Sequence, residues 1–249
     1  MANVLMLLPS SDYDPTETAV PWCLLTDAGH TVRFATPDGQ TALADRRLTE
    51  TGFGPLSPWL MPRKTELALY RRMSSHALFL KPARHDAIDP AGIDALIVPG
   101  GHAKGMRSLI ESTAAQSLVV AAFARNIPVG AICHGTLLLA RSRQADGRSV
   151  LHGRKTTALT APMELTAWNL TRLWLGDYYR TYPQTVASEI RAALRQPADF
   201  QPGPLLSRRD TARHPERGFV VQDGNYVSAR WYGDAYRFAQ SMLTLLHGS

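Results

Sequence analysis

The stretch Pro128-Val129-Gly130-Ala131-Ile132-Cys133-His134-Gly135-Thr136 decides how the chain is read. A short apolar run stops at a cysteine, and Leu137-Leu138-Leu139-Ala140 beyond it is helix-forming material. A strand that turns abruptly into a helix places the turning residue at the edge of a sheet, beside the helix's unpaired N–H groups. Those groups favour an anion, so a cysteine there tends toward thiolate, its pKa falling from about 8.5 into a range of roughly 3.5–7.5. Cys133 is therefore the candidate nucleophile. Its bland alternative is a small buried hydrophobe.

Working outward, Asp94-Ala95-Leu96-Ile97-Val98 runs into Pro99-Gly100-Gly101-His102, a strand that ends in a glycine loop, and helical sequence follows through Ala124. At the start of the chain, Asn3 to Leu8 is an apolar run stopped by Pro9-Ser10-Ser11, as expected of a strand buried on both faces. A helix from about Glu17 to Ala28 ends at Gly29, and Thr31 to Thr36 restores strand character, which makes a βαβ unit. Such alternation predicts an α/β fold with a mostly parallel sheet between two helical layers. Ligands of such sheets sit beyond the carboxyl ends of the strands, where the Ser10, Gly101 and Cys133 regions all fall.

Residues 40–92 break the alternation. Gly52-Phe53-Gly54-Pro55-Leu56-Ser57-Pro58 is turn-rich and Thr65 to Met73 has a helical pattern, so the segment is expected to be a cap-like insertion. Gly153 to Ala158 is expected to be a strand, Pro162-Met163-Glu164 to open a helix to about Leu175, and Ser188 to Arg195 to form another. Pro197 to Arg217 is proline-rich and charged, an extended excursion that completes an irregular region over 165–217. Phe219 to Ala229 carries an Asp223-Gly224 turn signal and reads as a hairpin, and a last helix spans about Asp234 to Leu246. All of 1–249 is expected to form a single domain.

The 249 residues carry 27 lysines and arginines against 21 acids. The basic residues are scattered as pairs such as Arg46-Arg47 and Arg208-Arg209, with no nucleic-acid motif, so no nucleic-acid partner is expected. No apolar run approaches the roughly 20 residues that cross a bilayer. The opening Met-Ala-Asn-Val carries no leader signal and two cysteines are too few for a disulfide framework, so a cytoplasmic protein without a membrane partner is expected. Cys23, within Pro21-Trp22-Cys23-Leu24-Leu25, reads as helix-face core.

DALIVPGG at 94–101, AICHG at 131–135 and TETAVP at 16–21 together resemble the ThiJ/PfpI superfamily, which has the class I glutamine amidotransferase-like, flavodoxin-type fold. His102 after the two glycines, the Cys-His-Gly elbow and the insertion at 40–92 are most similar to its glutathione-independent glyoxalase (glyoxalase III) and heat-shock chaperone branch. The resemblance covers about 1–36, 94–164 and the terminal hairpin and helix. It implies a flavodoxin-like three-layer sandwich with a nucleophile elbow. Residue by residue, it makes Cys133 the nucleophile, His134 its acid/base partner, Glu17 the carboxyl that hydrogen-bonds the sulfur, and Glu164, eleven residues beyond Gly153, the third member of the triad. Backbone N–H groups of Gly101 and His134 would form an oxyanion hole, a feature worth about 3–4 kcal/mol of barrier per donor. Gly100, Gly135 and His102 would complete the pocket.

The implied activity needs no cofactor and no metal. A 2-oxoaldehyde would become a 2-hydroxy acid at Cys133. Isonitrile hydration, tailoring of a larger substrate and a stress-response chaperone role are the alternatives within the same resemblance, and a homodimer is the expected assembly. His214-Pro215-Glu216 reproduces the His-Pro-Glu of true glutamine amidotransferases but lies in the proline-rich excursion rather than after an apolar strand, and is set aside as a chance match. Gly135-Thr136 departs from the Gly-Pro of glyoxalase-like members, which bears on the substrate more than on the nucleophile.

Overall fold

The computed structural model describes residues 1–206 and 208–248. In chain order it begins with β1 (Asn3–Leu7), β2 (Ser11–Tyr13), α1 (Pro15–Asp27), β3 (Thr31–Thr36) and β4 (Leu43–Ala44). Then come α2 (Ser57–Leu60), α3 (Lys64–Ser74), α4 (Ala77–Leu80), β5 (Ala83–Arg84), β6 (Ala95–Val98), α5 (Arg107–Ile110), α6 (Thr113–Ala124) and β7 (Val129–Ile132). The second half holds α7 (Gly135–Arg141), α8 (Ala161–Leu175), α9 (Val186–Ala193), β8 (Val220–Asp223), β9 (Tyr226–Ala229) and α10 (Ala235–His247).

Seven strands form one sheet in the order β5-β3-β1-β6-β7-β9-β8. Every neighbouring pair is parallel except β8 with β9. The fold is thus α/β and flavodoxin-like, as expected. β1, β6 and β7 occupy the centre, and Val4–Leu7, Ala95–Val98 and Val129–Ile132 are buried throughout, which explains why they read as continuous apolar runs. Because these strands are parallel, the loops after Leu7, Val98 and Ile132 all emerge at one edge, where the site forms.

The first helix starts before Glu17, because Asp14 caps it: its Oδ1 accepts from the N–H of Thr16 at 2.7 Å and of Glu17 at 3.1 Å, and Pro15 occupies the first turn. α1 packs against α3 and α10, so Glu17 in its first turn is buried rather than solvated.

Two expectations are corrected. Gly153 to Ala158 is not a strand of the sheet: only Thr156 pairs, in an isolated bridge with Phe200. Both edges of β9 are already taken, by β7 and β8, so the segment crosses β9 through side chains, with Thr157 N–H on Ser228 Oγ at 2.9 Å and the Thr156 and Tyr226 hydroxyls 2.8 Å apart. The hairpin loop is Gly224-Asn225, one residue later than Asp223-Gly224, because Asp223 still pairs with Tyr226; Gly224 takes φ +59° as its first loop residue. Within residues 40–92, β5 pairs with β3 at the edge of the sheet.

The proline-rich excursion is tied down from below. Asp210 is fully buried, accepts the N–H of Arg237 at 2.8 Å, and receives its own carbonyl bond from Arg63 at 2.6 Å. Beside it, Arg230 and Asp234 form an ion pair whose side chains are both 0% exposed.

Candidate active site

The turn from β7 to α7 forces Cys133 to φ +58°, a left-handed conformation that a non-glycine residue rarely adopts. Its N–H donates to Ala229 at 3.1 Å, and its carbonyl accepts from the Thr136 hydroxyl at 2.6 Å. These bonds hold the strained turn from both sides. Gly135 follows because no side chain fits: a Cβ there would stand 2.5 Å from the Pro99 carbonyl oxygen. Gly100 meets the elbow from the opposite side, where a Cβ would lie 2.8 Å from that of Cys133. Gly101 is pinned in the same way against the backbone of Asp12, Tyr13 and Asp14.

Around the sulfur the structure gathers three of the residues expected in the site. His134 Nδ1 lies 3.6 Å from Cys133 Sγ, and His102 Nε2 lies 3.7 Å from it on another side. Glu17 is placed by the buried first turn of α1: its Oε2 accepts the Gly100 N–H at 2.9 Å, and a Cβ on Gly100 would lie 2.8 Å from that oxygen and 2.8 Å from the Cys133 Cβ, so the carboxyl stands beside the nucleophile. The ligand atoms of His102, Cys133 and His134 all fall within 4.8 Å of one another, so these are the described residues that could hold a soft metal ion.

The electrostatics differ from the expectation of a depressed thiol. Burial pushes the Cys133 thiol well up, and the carboxyls of Glu17 and Asp14 push in the same direction, against the downward pull of the His134 N–H. Burial also raises Glu17, reinforced by Asp14 and opposed by the Gly100 N–H and by Cys133. Asp14 itself is raised to about 7 by burial, opposed by its two capping bonds. Both imidazoles are kept neutral, His102 lowered to about 4 by burial and His134 held low by burial and by the nearby His102 and Arg180. Burial and the two carboxyls outweigh the His134 N–H, so the thiol is protonated until a base removes the proton.

Glu164 is buried, but its carboxylate is engaged elsewhere than on His134. Oε1 pairs with Arg180 at 3.2 Å and Oε2 accepts the Val186 N–H at 2.9 Å. Among the described residues no hydrogen bond joins it to His134. The guanidinium of Arg180 is instead the group whose charge His134 feels, so the carboxylate stands one residue removed from the imidazole.

Two residues around His102 and Glu17 were not singled out from the sequence, Asp14 and Asp45, whereas the aromatic and arginine content of Tyr178-Tyr179-Arg180 was legible as material for a pocket wall or a dimer face. The Tyr179 ring meets His102 edge-on, with centroids 6.0 Å apart, and its hydroxyl donates to buried Asp45 at 2.8 Å, which also accepts from Tyr178 at 3.0 Å. Thr181 fixes the His102 backbone by donating to its carbonyl at 2.6 Å. An N-cap signal at Asp14, one residue before Pro15, was available; the Asp45–Tyr179 pairing spans 134 positions and has no local signal. His214 and Glu216 pair with each other at 3.1 Å on the exposed surface, apart from the buried elbow. Cys23 is buried in α1 near the Leu69 carbonyl, its thiol pushed up to about 11 by burial.

A cavity of about 470 Å³ adjoins the site, with Asp14, His102 and Tyr179 in its wall, along with residues of 40–92, α8 and the loop before α10. No helix among the described residues is long and apolar enough to cross a membrane.

Comparison with known proteins follows the same lines. A protein of Schizosaccharomyces pombe is 33% identical over 144 residues, 57% of this chain and 51% of its own length, so the match spans about half of that relative. A glutathione-independent glyoxalase of the same yeast is 26% identical over 176 residues, covering 65% of this chain and 69% of the relative. The crystal structure of glyoxalase III from Candida albicans superimposes with a TM-score of 0.69 over 98% of this chain and 97% of that one, at 16% identity, a likeness of fold. The profile described as ThiJ/PfpI family-like matches residues 8–204, and with the elbow, the glycine loop and the parallel sheet in place, the chain belongs to the ThiJ/PfpI family.

Proposed function

We propose that the chain is a cofactor-free, cysteine-dependent enzyme that converts a 2-oxoaldehyde into a 2-hydroxy acid. The glyoxalase relative supports the reaction class. The observation that carries the proposal is Cys133 at its strained turn, with two imidazoles 3.6 and 3.7 Å from the sulfur and the Glu17 carboxyl held beside it on the Gly100 N–H.

In this reading the Cys133 sulfur adds to the aldehyde carbon. A C–S bond forms, the carbonyl π pair moves to oxygen, and the thiol proton passes through His134 to that oxygen, giving a hemithioacetal. Glu17, held on the Gly100 N–H beside the sulfur, relays a proton of the attacking water to the sulfur when the C–S bond later breaks. Gly101 and His134 N–H groups receive the developing oxyanion. His134, neutral at working pH, then takes the proton from the former aldehyde carbon and returns it to the neighbouring carbon through an enediol. The result is a 2-hydroxyacyl thioester: one carbon has been oxidised and its neighbour reduced, with no external electron acceptor. Water adds to the thioester, the C–S bond breaks, and the thiol is restored. Glu164 takes part through Arg180, which it anchors beside His134, so that the guanidinium keeps the imidazole neutral.

The test is turnover of methylglyoxal by the purified protein with lactate measured as product, beside Cys133→Ala. Lactate formed by the wild type and lost in the variant supports the proposal; methylglyoxal loss without lactate, or lactate that survives the substitution, rejects it.

A further inference from the structure

The cavity beside the elbow is larger and less polar than a three-carbon oxoaldehyde requires. Its 470 Å³ lies within the range of roughly 300–1,000 Å³ typical of pockets that take drug-sized ligands, so methylglyoxal would leave most of it wet. The walls do not suit water. Phe53, Leu60, Met163, Leu170 and Trp231 supply apolar surface, and the hydroxyls of the two lining tyrosines are engaged by protein partners. Tyr179 donates to Asp45, and Tyr232 donates to the Trp59 carbonyl at 3.1 Å while accepting from Arg209 at 2.8 Å.

Charge sharpens the point. The chain has 27 lysines and arginines, yet no lysine or arginine is among the described residues that line this cavity. Arg209, just outside it, also donates to the Met61 carbonyl at 2.9 Å. The ionisable groups in the wall are acids, imidazole and phenols: Asp14, His102, Tyr179 and Tyr232. A carboxylate or phosphate on the substrate would lose its hydration there without gaining a cation from the described lining residues. Glutamine and phosphorylated trioses are therefore disfavoured. His102 connects this wall to the chemistry, since its Nε2 is 3.7 Å from the Cys133 sulfur.

Resting on the oxoaldehyde chemistry proposed above, we infer that the substrates are uncharged 2-oxoaldehydes with a bulky apolar tail, aryl or branched alkyl. The tail occupies the cavity between α8 and residues 53–60 while the aldehyde reaches past His102 to Cys133.

The experiment compares kcat/KM for methylglyoxal, phenylglyoxal and 4-carboxyphenylglyoxal on the wild type, Ala167→Trp and Leu170→Trp. Ala167 and Leu170 line the cavity from α8, Leu170 at its exposed rim, so at least one tryptophan is accommodated without disturbing the core. Phenylglyoxal is expected to exceed methylglyoxal by about tenfold or more, the carboxylated analogue to lose that advantage, and the tryptophans to lower the phenyl-to-methyl ratio. Cys133-dependent turnover of methylglyoxal with phenylglyoxal no better overturns this inference and leaves the proposed reaction standing. Turnover of none of the three overturns the reaction and the inference with it. A carboxylated analogue handled as well as phenylglyoxal overturns the assignment of an uncharged substrate.

Discussion

The Nε2 of His102 lies 3.7 Å from the Sγ of Cys133, and the same imidazole forms part of the cavity wall. Cys133 and His134 are each 1% exposed, so His102 is the member of the cluster that a molecule in the cavity meets first. His102→Ala is expected to open the sulfur to solvent and raise the rate at which iodoacetamide alkylates Cys133, read by mass spectrometry at fixed pH. An unchanged rate would mean that His102 does not cover the thiol.

Glu17 bridges the glycine loop and the nucleophile. Glu17→Gln keeps an acceptor for the Gly100 N–H but replaces the acidic proton, and is expected to lower kcat by about 10²–10⁴-fold, the usual worth of a positioned acid or base. Because burial penalises the ionised form of this carboxyl, the thermal midpoint should hold or rise in the amide. A large fall in midpoint would make Glu17 a structural carboxylate instead.

The elbow was legible because strand, cysteine and helix are contiguous in the sequence, and the same holds for α1, β3, β6 and α8. What escaped was set by distance along the chain or by competition for an edge. Asp45 is joined to Tyr179 across 134 positions, and Glu164 is diverted from His134 by Arg180, sixteen residues on. Gly153 to Ala158 has strand-like composition, yet the β8–β9 hairpin closes the sheet edge it would need. The lowered thiol pKa expected from the helix start is outweighed by burial and two carboxyls, an arrangement that requires knowing that Asp14 and Glu17 face the sulfur.

Asp210 predicts a pH dependence of stability. Burial raises its carboxyl to about 8, Asp234 adding to this and the N–H of Arg237 opposing it, against about 3.9 in an unfolded chain. Between those values the folded state binds the extra proton, so this contribution is complete below about pH 4 and is lost as pH rises toward 8. Asp210→Asn should flatten that part of the curve in urea midpoints taken at pH 5, 7 and 9. A slope unchanged by the substitution would contradict the assignment.

Arg230 and Asp234 are both fully buried, and removing one partner leaves a charge in the interior. Asp234→Ala is expected to destabilise the fold by about 3–5 kcal/mol in denaturant unfolding. A loss below about 1 kcal/mol would place the pair in a solvated setting, as surface ion pairs are.

The most direct test of the account is to quench the enzyme during turnover of methylglyoxal and examine the peptide that carries Cys133 by mass spectrometry. The account predicts a substrate-derived acyl adduct on Cys133 that decays as lactate appears and is absent from Cys23 and from Cys133→Ala. Steady turnover by the Cys133→Ala protein would contradict it.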